Sequence, residues 1–161
     1  MPKRAHATPA LDLLTSRGVT FRLHEFESGT DDFGLVAAAQ LTHLDTSQVF
    51  KTLVAAETGT KNLAIAVIPV DHRLSPKKLA SAWGVKSCDL ADPHLAQLKT
   101  GYIPGGITGI ATKVSLPVFL DETAILFDAI AVSAGRRGLD VELAPDDYVA
   151  VTGATYCDLL A

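Results

Sequence analysis

Two apolar runs, residues 49–56 and 63–70, flank the turn Thr58-Gly59-Thr60. Runs of this length on either side of a glycine-containing turn predict a β-hairpin. The hairpin limits what the rest of the chain can do, because such a pair needs apolar cover. The segments around it can provide that cover. Thr8-Pro9 opens a helix that carries Leu11 and Leu14 on one face and closes at Arg17-Gly18. Ser75-Pro76 opens a second that ends near Trp83 before Gly84, and Asp92-Pro93 a third that ends before Gly101. Pro145 starts a closing helix.

Further strands are expected where apolar residues alternate or cluster. Val19, Phe21 and Leu23 alternate with Thr20, Arg22 and His24, which puts His24 and Phe26 on the face opposite Phe21. Residues 116–120, 129–133 and 139–143 read as three more strands, the last two joined by residues 134–138. Residues 27–32 form a polar segment leading into a helix over about 33–41, and Asp45 with Gln48 three residues later resembles a capping box. Short strands and short helices alternate irregularly, which predicts one mixed α+β domain over residues 1–161 rather than a regular βαβ series.

Composition excludes several classes. With 48% hydrophobic and 20% charged residues the chain can build a core without metals or cross-links. Cys88 and Cys157 stand in no CxxC or Cys/His ligand run, and the five histidines show no HExxH or i,i+4 spacing, so no metal site and no cofactor are expected. No serine lies in a GxSxG elbow. The basic N-terminus lacks an apolar stretch after it, and the longest apolar run is too short to span a bilayer, so a soluble, reduced, cytoplasmic chain is expected. The formal net charge of −4 argues against autonomous tight binding of nucleic acid, and favours help from a partner or recognition confined to a terminus.

Three features could carry chemistry. Lys51 interrupts an apolar strand, where it is either a snorkelling edge lysine or a cation at the floor of a pocket. Glycines 101, 105, 106 and 109 make a loop that could present backbone N–H groups to an oxyanion, or be a plain surface loop; it has neither the GxxxxGK[ST] nor the GxGxxG pattern of a phosphate loop. The segment from Ser133 to Asp140 carries Arg136 and Arg137, as a hairpin turn with solvated arginines or as a phosphate-facing turn with Ser133 and Asp140 in a pocket. Lys77-Lys78 reads as a solvated helix face.

In order and spacing, Val49-Phe50-Lys51-Thr52-Leu53, Leu63-Ala64-Ile65-Ala66-Val67, Ala91-Asp92-Pro93, Gly101-Tyr102, Gly105-Gly106-Ile107 and Arg137-Gly138-Leu139-Asp140-Val141-Glu142-Leu143 resemble the YbaK/EbsC family, relatives of the editing domain of bacterial prolyl-tRNA synthetases. The resemblance covers nearly the whole chain. It implies a mixed, barrel-like sheet flanked by helices and a pocket for the aminoacyl-adenosine end of tRNA. It implies deacylation of a mischarged tRNA, Cys-tRNA(Pro) above all, with the substrate's own thiol attacking the ester, and prolyl-tRNA synthetase as a partner. Lys51 is then the signature catalytic residue, near the amino-acid carbonyl or terminal phosphate. Gly105, Gly106, Ile107 and Thr108 position the ester, and Phe26, Thr52, Ser133 and Asp140 line the pocket. Two positions depart from the family: Thr108-Gly109 replaces Ser-Pro, which frees φ at 109, and Phe26 stands where relatives often carry tyrosine. These departures leave two other readings open, a water-using deacylase for alanyl or seryl esters and a non-catalytic module that binds a nucleotide or a synthetase.

Overall fold

The computed structural model describes residues 7–26 and 44–161. The expected helix over 33–41 and the polar segment before it lie outside the described residues. In chain order the elements are α1 (Pro9–Ser16), β1 (Arg22–Glu25), a 3-10 turn (Thr46–Gln48), β2 (Phe50–Glu57), β3 (Leu63–Pro69), α2 (Pro76–Trp83), β4 (Cys88–Leu90) and α3 (Pro93–Thr100). They continue with β5 (Val118–Asp121), a second 3-10 turn (Glu122–Leu126), β6 (Ile130–Arg136), β7 (Leu139–Leu143), α4 (Pro145–Thr152) and β8 (Thr155–Cys157).

The four helices among the described residues begin and end where their local chemistry dictates. Each starts with proline, whose missing N–H costs nothing in a first turn. In three of them a side-chain oxygen just before it caps a free N–H: Thr8 Oγ1 accepts from Leu11 at 3.1 Å, Ser75 Oγ from Lys78 at 3.2 Å and Asp92 Oδ2 from Leu95 at 3.1 Å. Gly84, Gly101 and Gly153 then stop α2, α3 and α4 in the left-handed conformation. The Asp45/Gln48 capping box is present with both of its arms.

Two sheets are built, in the orders β1-β7-β6 and β4-β2-β3-β5-β8. The first is antiparallel throughout; the second is antiparallel at β4-β2-β3 and parallel at β3-β5-β8. A parallel bridge between Val49 and Ala131 joins them. The architecture is α+β, and the barrel-like sheet is two bridged sheets rather than one closed barrel. β3 is buried at every position: Leu63, Ile65 and Val67 enter the main core, while Ala64, Ala66 and Ile68 pack with Leu79 and Ala80 of α2. Cover on both faces is why its sequence is a continuous apolar run.

Several boundaries differ from the sequence expectation. β4 and β8 were not expected; each has three residues and closes an edge of the five-stranded sheet, too short to carry a periodic signal. β6 runs on to Arg136 through a register shift between Ser133 and Arg136, which shortens the connection to β7. β1 starts at Arg22 rather than Val19, although Val19 and Phe21 still pack against the core. Lys78 is exposed but not merely solvated: its Nζ donates to Asp158 at 2.8 Å and to the Leu160 carbonyl at 2.7 Å, holding the C-terminal segment against α2. Among the described residues no helix is long and apolar enough to cross a membrane.

Candidate active site

The site forms where β2 loses its second neighbour. Along its whole length β2 pairs with β3, but on its other edge β4 pairs only with residues Ala55, Ala56 and Glu57. Near the other end Val49 bridges to Ala131. Between these two anchors β6 and β4 part, and the edge around Thr52 borders a cavity of about 350 Å³. The Val49 carbonyl accepts from Val70 while the Val54 carbonyl accepts from Ala91, so even-numbered peptide groups of β2 face away from β3 toward this gap.

Of the sequence-predicted site residues, Phe26, Lys51, Thr52, Gly105, Ile107, Ser133 and Asp140 all line this cavity. Gly106 and Thr108 do not; both are buried behind its wall. Lys51 and Thr52 lie on opposite faces of β2, because successive side chains alternate. Thr52 shares its face with Phe50 and Val54, which enter the main core, whereas Lys51 shares its face with Leu53 and Ala55, which pack toward α2. The half-buried Lys51 therefore reaches the cavity around the strand edge.

The β1-β7-β6 sheet supplies the opposite wall. Register pairs His24 with Asp140 and Asp140 with Ser133, so these three stand in a row on one face, with Val132 and Val141 turned to the core on the other. Asp140 is 5% exposed, and its carboxyl takes no hydrogen bond from the described residues. Burial pushes its carboxyl up to about 7, well above the usual carboxylate range. His24 sits beside it but gives its Nε2 contact to Glu142 at 2.7 Å. The Thr52 hydroxyl is likewise buried without a partner. Buried polar groups are normally paired, so the Thr52 hydroxyl, with no described partner and close to a desolvated carboxyl, leaves a polar ligand something to bind.

The glycine loop is held against the β6–β7 turn from two directions. Arg137 Nε donates to the Pro104 carbonyl at 2.8 Å. Gly106 packs directly on the turn: a Cβ there would lie 2.9 Å from Arg136 and Arg137 backbone atoms. Gly105 has φ +87°, a conformation that other residues rarely adopt. Tyr102 staples the loop closed, its hydroxyl donating to the Ile110 carbonyl at 2.7 Å. At Gly109 the reason for glycine is room rather than φ: a Cβ would come within 2.6 Å of the Tyr148 hydroxyl, which is buried with no partner among the described residues. Gly106 and Thr108 thus shape the site from behind, with the Thr108 hydroxyl accepting from Ile110 N at 3.3 Å.

Sequence reasoning missed the lip made by Leu90, Ala91, Pro93 and Ala96 at the start of α3, and Pro104 beside the loop. Ala91-Asp92-Pro93 was legible as a helix start, but nothing in it signalled that the first turn would roof a cavity. Chemically, the arrangement offers a cation, a near-neutral carboxyl, two hydroxyls and a fixed glycine loop around a mostly apolar chamber. It can hold an ester between charged and polar groups and support an oxyanion.

The model of the aminoacyl-tRNA editing domain family matches residues 33–151. A protein of Enterococcus faecalis (strain ATCC 700802 / V583), described as a candidate Cys-tRNA(Pro)/Cys-tRNA(Cys) deacylase, EbsC, is 34% identical over 159 residues, covering 98% of this chain and 95% of that protein. The solved structure of hypothetical protein APE2540 superposes with a TM-score of 0.82 at 25% identity, over 96% of this chain and 100% of that one. A candidate trans-editing enzyme for prolyl-tRNA synthetase shares the fold at a TM-score of 0.82 and 22% identity, over 99% of both chains.

Proposed function

Because this chain belongs to the aminoacyl-tRNA editing domain family, we propose that it is a trans-editing deacylase that cleaves the ester of Cys-tRNA(Pro) in the cytoplasm. The carrying observation is the cavity at the β2 edge, where Lys51, Thr52, Ser133, Asp140 and the Gly105 loop converge from four separate segments. The aminoacyl-adenosine end of the tRNA occupies this chamber.

In this reading the protein supplies orientation and charge, and the substrate supplies the nucleophile. The cysteinyl sulfur attacks its own ester carbonyl: a C–S bond forms, the C–O bond to the terminal ribose breaks, and the thiol proton ends on the leaving ribose oxygen. The product is a cyclic thioester that leaves uncharged tRNA behind. Lys51 orients the carbonyl or the adjacent phosphate, and the glycine-loop N–H groups support the oxyanion. Asp140 accepts the substrate's α-ammonium, whose charge draws the proton off the carboxyl. Editing is needed because a synthetic pocket rejects a smaller side chain by only about 1–3 kcal/mol per methylene. The net charge of −4 and the small number of cations at the cavity favour prolyl-tRNA synthetase as the partner that delivers the tRNA.

Deacylation of Cys-, Ala- and Ser-tRNA(Pro) side by side tests this. Preferential loss of the cysteinyl ester is expected. Preferential loss of alanyl or seryl ester would move the chemistry to an attacking water, and survival of all three esters would contradict the deacylase.

A further inference from the structure

A second cavity of about 280 Å³ lies on the α2 side of β2, lined by Lys51, Leu53, Arg73, Pro76, Asp89 and Leu90 among others. It shares Lys51, Leu53 and Leu90 with the first chamber, so the two meet across the β2 edge. Leu90, 61% exposed, stands on their common rim. Like the first chamber, this cavity is mostly apolar, with charged side chains at its wall. Lys51 and Arg73 put two cations on its wall, and neither side chain has a hydrogen bond or ion pair to any described residue. The N-terminal end of α2 opens at Pro76 beside them and adds to the positive field. Asp89 is the one carboxylate on the lining, and among the described residues its carboxylate accepts only from its neighbour's N–H, Leu90, at 2.8 Å.

Two cations with no partner among the described residues, beside one carboxylate, match a ribose-phosphate: the cations take the phosphodiester, and the carboxylate takes the 2′-hydroxyl as an acceptor. Continuity with the first chamber sets the order of the units. We propose that the second cavity is the binding subsite for the nucleotide immediately 5′ of the esterified adenosine, with Arg73 on the phosphodiester that links the two units and Asp89 as the 2′-hydroxyl contact. This rests on the reading that the first chamber holds the terminal adenosine. Lys51 then stands between the two units and can face the linking phosphate from the first chamber's rim. A chain of net charge −4 gains local affinity for RNA this way without a basic surface.

The test is equilibrium binding of cytidylyl-(3′→5′)-adenosine and of adenosine to the whole protein and to Arg73→Ala, with thermal melting to confirm the fold. The Arg73 side chain is exposed and its backbone carbonyl, which accepts from Ala161 N, is retained in the variant. Arg73→Ala is expected to weaken the dinucleotide by about five- to tenfold and to flatten its salt dependence, leaving adenosine unchanged. Asp89→Ala is expected to abolish any preference for the dinucleotide over its 2′-deoxycytidine analogue. Equal binding of the dinucleotide by the protein and Arg73→Ala, or equal loss of both ligands, would overturn the proposal. Neither measurement needs ester cleavage, so a protein that binds the dinucleotide through Arg73 yet spares every aminoacyl ester would contradict the deacylase and leave the subsite standing.

Discussion

β2 and β3 are partners in one hairpin, yet they do different work. β3 is buried on both faces at all seven positions and carries only apolar side chains. β2 has Lys51 and Thr52 in its first half, where its outer edge is not covered by β4. The difference teaches that the site arises from a missing neighbour rather than from a special strand. Where a second strand completes the ladder the residues are structural, and where it stops the same strand turns polar and borders a cavity.

The contrast can be broken from either side. Ile65→Ala in β3 removes a fully buried side chain between β2 and β5, and should cost about 2–5 kcal/mol of stability in denaturant titration. Asp140→Asn should do the reverse. A carboxyl raised to about 7 in the folded protein, against 3.8 ordinarily, binds its proton more tightly when folded. Its stabilising contribution is complete below about pH 4 and is lost as pH rises through 7. The variant should therefore gain on the order of 4 kcal/mol over the parent at pH 8 and nothing at pH 3.5, read from melts across that range. An unchanged pH profile would remove Asp140 as a buried titrating group.

Gly106→Ala sharpens the comparison at the loop. Its Cβ would meet backbone 2.9 Å away, so the loop must move off the β6–β7 turn. Esterase turnover is expected to fall at least about tenfold, with a stability loss of about 1–2 kcal/mol. Thr52→Val should have the smallest effect on folding. It replaces an unpaired buried hydroxyl by a methyl, and a melt should show stability unchanged or higher by up to about 1 kcal/mol.

The sequence made much of this legible for local reasons. The proline and capping residues placed all four helix starts, the Thr58-Gly59-Thr60 turn placed the hairpin, and alternation in residues 19–26 set Phe26 and His24 on the face that carries Asp140. What it hid depends on tertiary pairing. Nothing in Cys88-Asp89-Leu90 announces that it stops pairing with β2 at Ala55, yet that stop opens the cavity. Adjacent positions 51 and 52 looked like one motif, but the pleat sends them to opposite faces and lets Lys51 border two cavities. Gly109 looked like a gain of backbone freedom; the reason for it is the Tyr148 hydroxyl, supplied from a helix about forty residues later.

The central claim is that the open edge of β2 is catalytic through Lys51. Cysteinyl-tRNA(Pro) deacylation by Lys51→Ala, with melts at the same pH, tests it directly. A fall in kcat/KM of about 100-fold or more with the fold retained is expected; a folded Lys51→Ala protein that deacylates at the parent's rate would remove Lys51 from the chemistry.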